Sequence, residues 1–265
     1  MDILRRSYAP IAADVWAEID ALARQALSAS LSARRFVDVN GPLGIECASV
    51  ALGRLELPEE KNRTGVNYGV HRVMPLVESR IIFTLEQWEL DNVGRGAKDI
   101  QLDSLVSAAR KIAAFEEDAI FNGFAPAGIV GLHASVEESP LAIPMDPTGC
   151  IDAIGEAQVA LLRRGIGGPC ALVASPKLWK LLVRTVEGGT LKAVIESQIG
   201  GPVVFSEAVK GGLLVSRRGG DLELTVGQDL AIGYLNHDTK GVSLYFTESF
   251  TFRVIAPEAL VAFKV

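Results

Sequence analysis

The chain predicts an α+β fold with an inserted lobe, and the order of its segments carries that prediction. An amphipathic helix comes first, then a long two-stranded arm, a second and longer helix, a block mixing helices with short strands, and a strand-rich end. The clearest strand, 242–254, alternates along its length, and the clearest helix, 103–122, keeps a helical period throughout. No internal repeat, low-complexity tract or interdomain linker interrupts the series.

Residues 11–28 form the first helix. Val15, Ile19, Leu22 and Ala26 share one stripe, with Trp16, Ala23 and Leu27 beside it, and Pro10 suits the first turn. From Gly41 to Phe83 the helical period is lost. Leu52, Leu55 and Leu57 lead to a polar tip from Pro58 to Gly65, and Val66, Tyr68 and Val70 alternate beyond it. An isolated hairpin is marginal in water, so this arm needs packing from a core wall or from a neighbouring subunit. In the helix 103–122, Leu105, Val106, Ala109, Ile112, Ala113 and Ile120 line one face; Asp103 or Ser104 caps it and Gly123 ends it.

A helix at about 150–164 follows, carried by Ile151, Ile154, Leu161 and Leu162 and stopped at Gly165. Cys170–Ala174 is a short buried strand. Ser175 then caps a helix with Pro176 at its first position, running to about Val186. Glu187–Thr190 reads as a loop before a short helix to Gln198, and strands follow at 202–206, 212–217, 221–226 and 242–254. In the last, Leu244, Phe246, Phe250, Phe252 and Val254 point one way, interrupted only by Glu248. Tyr245, Thr247, Ser249, Thr251 and Arg253 point the other.

Composition excludes several classes. At 265 residues, 49% apolar and 22% charged, the chain has ordinary globular content with ample surface to bury. Its mean hydropathy of +0.27 fits either a large core or large intersubunit contacts. A net charge of −6 with no long basic run argues against nucleic acid as the main partner. No apolar run is long enough to span a bilayer, and the opening MDILRRSYAP lacks the apolar core of a secretory signal. Cys47, Cys150 and Cys170 are widely spaced and odd in number, which fits a reducing cytoplasm better than a disulfide framework or a zinc site.

Catalytic patterns are scarce. His71, His133 and His237 are scattered, and a Cys170–His133 pair would place its thiol mid-strand among apolar residues, as an inert core cysteine. The acidic runs Glu116–Glu117–Asp118 and Glu86, Glu89, Asp91 read as solvated or interface-pairing faces, because adjacent helix residues do not converge on one ion. Gly165–Pro169 follows a helix rather than a strand, which is the wrong context for a phosphate cradle, and Arg217–Asp221 reads as a turn.

Six blocks in chain order resemble the encapsulin family of nanocompartment shell proteins: RRSYAP, RRFVDVNGPLGIE, FTLEQWELDNVGRG, FEEDAIFNG, GGDLELTVGQDLAIGY and ESFTFRV. The resemblance implies the Hong Kong 97 phage-type capsid fold. Its parts would be the N-terminal helix and arm (1–48), the extended loop (49–82), a peripheral domain on the long helix (83–138), an axial domain (139–222) and peripheral-domain strands (223–265).

It further implies that the chain self-assembles into an icosahedral cytoplasmic shell with no catalysis of its own. That shell would enclose a cargo enzyme, a peroxidase or a ferritin-like iron oxidase, recruited by a C-terminal targeting peptide. By motif, the peptide surface maps to Arg34, Phe36, Asp38, Asp229, Leu230 and Ile232, with Phe36 and Ile232 equally readable as core. The pore loop maps to Glu187, Gly188, Gly189 and Thr190. A flavin, bound in some relatives, would stack on Trp88 near Arg80, although Trp88 reads equally as an interface residue. Two alternatives remain: a phage capsid protein, and an enzyme of protease or bacteriocin type.

Overall fold

Two mixed sheets joined by one long helix organise the chain in the computed structural model, which describes residues 3–58, 65–186 and 189–265. The elements begin with α1 (Ala13–Ser30), β1 (Asp38–Asn40), β2 (Ser49–Glu56), β3 (Val70–Pro75), β4 (Val77–Glu86), α2 (Gln87–Gly94) and α3 (Asp103–Asn122). Then come α4 (Leu132–Ser135), β5 (Leu141–Ala142), α5 (Pro147–Arg163), β6 (Cys170–Ala174), α6 (Pro176–Leu182), β7 (Thr185–Val186), β8 (Gly189–Thr190) and α7 (Leu191–Ile199). The chain closes with β9 (Val203–Phe205), β10 (Gly212–Ser216), β11 (Leu222–Val226), β12 (Ala231–His237), β13 (Gly241–Val254) and β14 (Leu260–Lys264).

The first sheet is built around β13. Its early residues pair with β12 on one edge, its later ones with β11, and β4 runs antiparallel along the opposite edge from Gly241↔Glu86 to Phe250↔Val77. Phe250 and Phe252 join Phe36 and Phe121 in one apolar cluster; Leu244 and Phe246 join Ile19, Leu105 and Ile112 in another. Helices α1 and α3 pack together over the second cluster, so α3 is the spine of the lobe. Gly123 ends α3 at φ +90, where an added Cβ would stand 2.8 Å from the Ile129 carbonyl oxygen, so the stop requires glycine.

The second sheet runs β5-β14-β10-β6-β9 and is covered by α5, α6 and α7. Cys170–Ala174 is buried at every position, as expected of a strand packed on both faces. Asp146 caps α5 and Ser175 caps α6, their side chains accepting from Gly149 N–H and Leu178 N–H.

Several boundaries differ from the sequence reading. Pro10 lies ahead of α1, which starts at Ala13. The cap residue of α3 is Leu102, which has no capping side chain; Ser104 instead donates to the Thr84 carbonyl, tying the helix to β4. α6 stops at Leu182, and the next residues turn into the β7–β8 hairpin. β4, α2, β12 and β14 were not read as separate elements. β14 returns from the end of the chain to pair with β10 and β5, so residues 260–264 belong to the 139–216 lobe rather than to the peripheral strands. Conversely, β11 and β4 belong to the first sheet, and the arm is β2–β3 alone.

The expected two-faced β13 is buried on both faces from Leu244 to Phe252. Tyr245 donates its hydroxyl to the Ile3 carbonyl and Thr247 donates to Ser79, so the polar face is closed by the N-terminal residues and by β4.

Candidate functional site

The most heavily charged point of the interior lies under the segment following α1. There a short 3-10 turn, Ala33–Arg35, crosses α3 and aims Arg34 inward. Arg34 Nε donates to Glu116 Oε1 at 2.9 Å, Nη1 to Asp229 Oδ1 at 2.8 Å, and Nη2 to Glu116 Oε2 at 2.6 Å as well as to Glu248. Glu116 and Glu248 are both 0% exposed. Burial opposes the charge on Arg34, but hydrogen bonds and attraction from Glu116, Asp229 and Glu248 outweigh it and raise the guanidinium above its ordinary range.

Beside this cluster, Glu117 accepts from the Ser32 hydroxyl and from Ala33 N–H at 2.8 Å. Burial pushes its carboxyl up to about 7, against the opposing pull of those two donors.

Reading 116–117 as a solvated face is therefore wrong; only Asp118 of the acidic run is exposed. A signal was available, since Ile112, Glu116 and Ile120 recur at i, i+4 on the buried stripe, and Glu248 interrupts an apolar strand face. Such interruptions mark a buried counter-charge, and the arginine that supplies it lies 82 residues from Glu116.

The six residues assigned to the peptide surface separate into two groups. Phe36 is buried edge-on to Phe121 and Ile232 is buried among α3-facing residues, so both pack into the core. Asp38 is exposed and accepts from Gly220 N–H at 2.6 Å; Asp229 is half-exposed; Leu230 is partly buried. Arg34, Phe36 and Asp38 also border a polar recess of about 140 Å³ with Arg35, Arg217 and Asp221.

Trp88 is 72% exposed at the start of α2. The cation over its ring is Arg95, at 5.6 Å, whereas Arg80 lies 4.4 Å over Tyr245 and pairs with Glu78. The expected Trp88–Arg80 partnership is thus corrected to Trp88–Arg95. Of the pore-loop residues, Glu187 and Gly188 lie outside the described residues; Gly189 and Thr190 form β8, and Thr190 caps α7 through Ala193 N–H.

Cys170 and His133 are engaged elsewhere. The thiol donates to the Gly168 carbonyl and burial raises it, while His133 Nε2 accepts from Lys210 N–H and burial lowers the imidazole. Among the described residues no group of His, Cys, Asp and Glu side chains is arranged to hold a metal ion, and no helix is long and apolar enough to cross a membrane.

The arm is the other outstanding surface. Among the described residues β2 and β3 pair only with each other, and Leu55, Leu57, Val70 and Val73 stand more than half exposed. A single chain leaves this hairpin without a wall behind it.

A spine helix, an extended arm, and two sheets with the chain's end returned into the second define a Hong Kong 97-type capsid fold. Solved structures agree. The virus-like particle from Pyrococcus furiosus matches at TM-score 0.64 and 16% identity, covering 94% of this chain and 98% of its own. A structure from Mycobacterium phage Bobi matches at 0.56 and 17%, covering 89% and 90%. Within that fold class the sequence is decisive: the chain belongs to the encapsulin shell-protein family. The family model described as "Encapsulating protein for peroxidase" matches residues 1–251. The type 1 encapsulin shell protein of Rhodospirillum rubrum is 41% identical over all of this chain and 97% of its own, and that of Mycobacterium tuberculosis 34% identical over 99% of each.

Proposed function

We propose that the chain is a structural subunit that assembles through its arm into a closed icosahedral shell in the cytoplasm and carries out no catalysis itself. One observation carries the reading: a chain of the encapsulin family folds with its arm, β2–β3, extended and its apolar side chains exposed. Neighbouring copies supply the missing wall, and rotations that close on themselves give a finite shell.

Inside it, a cargo enzyme, a peroxidase or a ferritin-like iron oxidase, is held by a C-terminal targeting peptide. Asp38, Asp229 and Leu230 are the proposed contact residues, because they combine exposure with one apolar and two charged groups. The family model's description supports a peroxidase as the first cargo to test. A flavin is proposed at Trp88: the exposed ring offers a stacking face, and Arg95, not Arg80, is the cation beside it. Flavin fluorescence released on denaturing wild-type but not Trp88→Ala particles tests that site.

The shell reading is tested by size-exclusion chromatography and negative-stain microscopy of the chain expressed alone. Uniform hollow particles support it, and a 28.3 kDa monomer or small oligomer overturns it.

A further inference from the structure

Four carboxylates and one guanidinium meet where the segment after α1 crosses the spine helix. Arg34 comes from that segment, Glu116 and Glu117 from α3, Glu248 from β13, and Asp229 from the turn before β12. These are the charged groups that act on one another there. With every carboxyl ionised, one cation would face four anions, and Glu116, Glu117 and Glu248 are buried. An interior that excludes water does not hold that imbalance; protons take it up.

The geometry shows where. Arg34 spends its Nε and one Nη bond on Glu116, its Nη1 on Asp229, and reaches Glu248 only at Oε1. Glu248 Oε2 is buried with no hydrogen-bond partner among the described residues. Among the described residues no cation pairs with Glu117; its partners are a hydroxyl and a backbone N–H of the crossing segment.

We infer that Glu117 is a proton-holding acid that latches the N-terminal segment onto the spine helix beside a protonated Glu248, and that Glu117 deprotonation loosens that segment as pH rises. Burial raises both carboxyls, and the neighbouring Glu116 charge raises Glu248 further. In an opened segment the Glu117 carboxyl returns to the ordinary carboxyl range. Between that range and its raised value the latched state holds more protons than the open one, so latching weakens with rising pH. For Glu117 the interval runs from its ordinary 4.5 to about 7. Asp38 lies on the same segment, so the latch would also set the proposed peptide surface; that consequence rests on the docking reading, whereas the latch does not.

Hydrogen–deuterium exchange on intact particles reads it directly. Between about pH 5 and 8, with the intrinsic pH dependence of exchange divided out, protection of residues 31–38 should fall on the order of a hundredfold. Amides of β6 should hold, and Glu117→Gln should remove most of the fall. A response at 31–38 that matches β6, or one unchanged in Glu117→Gln, overturns the inference. Should that variant fail to assemble, infrared spectra of wild-type particles at about pH 6 decide instead: a protonated-carboxyl band that titrates away on raising the pH is expected, and its absence refutes the latch.

Discussion

Replacing Arg34 by methionine keeps a long apolar stem but removes the guanidinium that joins Glu116, Glu248 and Asp229. Two of those carboxylates are wholly buried and gain no water in exchange. Breaking a buried pair from one side costs about 3–5 kcal/mol. Asp229 is half-exposed, rehydrates, and adds little. For a chain of this size that loss lowers Tm by roughly 10 °C.

The effect is specific to charge, so removing the anion that Arg34 grips from both sides should recover part of it: Arg34→Met/Glu116→Gln is expected to melt above Arg34→Met alone. Scanning calorimetry at one pH and one particle concentration gives the comparison. If Arg34→Met melts within about 2 °C of wild type, Arg34 is not the cation that neutralises the cluster. If the double variant melts no higher than the single, the coupling between Arg34 and Glu116 is absent.

Other outcomes follow from the same geometry. Leu55→Asp with Val73→Asp charges the exposed face of the arm and should leave folded subunits that fail to close, read by light scattering; normal particles would remove those side chains from the assembly contact. Asp38→Ala and Leu230→Asp should lower co-purification of a peptide-tagged reporter while particles still form, whereas Ile232→Asp buries a charge and should abolish soluble expression instead. Equal reporter loading in the first two variants would take both residues out of the docking surface. Gly211→Ala should destabilise the chain by more than about 2 kcal/mol in urea titration, since backbone strain and a steric clash act together there. At φ +76 an added Cβ would stand 2.1 Å from the Phe263 carbonyl oxygen, and a near-wild-type midpoint would show that β14 can move away.

Much of the fold was legible because local periodicity reports local burial. α3 was read to its terminal residues, since Leu105, Ala109, Ile112 and Ile120 keep one face and Gly123 ends it. β6 and β13 were legible for the same reason, and the arm declared itself by alternation on either side of the expected polar tip, whose residues 59–64 lie outside the described residues. β4 was hidden because the arm's alternation runs on into it, and β14 because five residues at the end of the chain carry too little pattern to show which sheet they join.

The site was legible only in part. Asp38 and Leu230 were found by motif, but the same motif also held Phe36 and Ile232, and nothing local distinguishes an apolar side chain that lines a groove from one that fills a core. Trp88 was legible as an aromatic with a nearby cation; which arginine reaches it depends on how α2 packs against the sheet.

By itself the sequence determined the element order, the family, and a charge pattern in which Glu116 and Glu248 sit where apolar residues belong. Only the tertiary structure decided that Arg34 meets both of them, and that the end of the chain closes the second sheet. The Arg34 contacts join residues 82 and 214 positions apart. Hydrophobic periodicity is set within a few turns of helix or strand, whereas the partner of a buried charge is set by which surfaces the folded chain brings together.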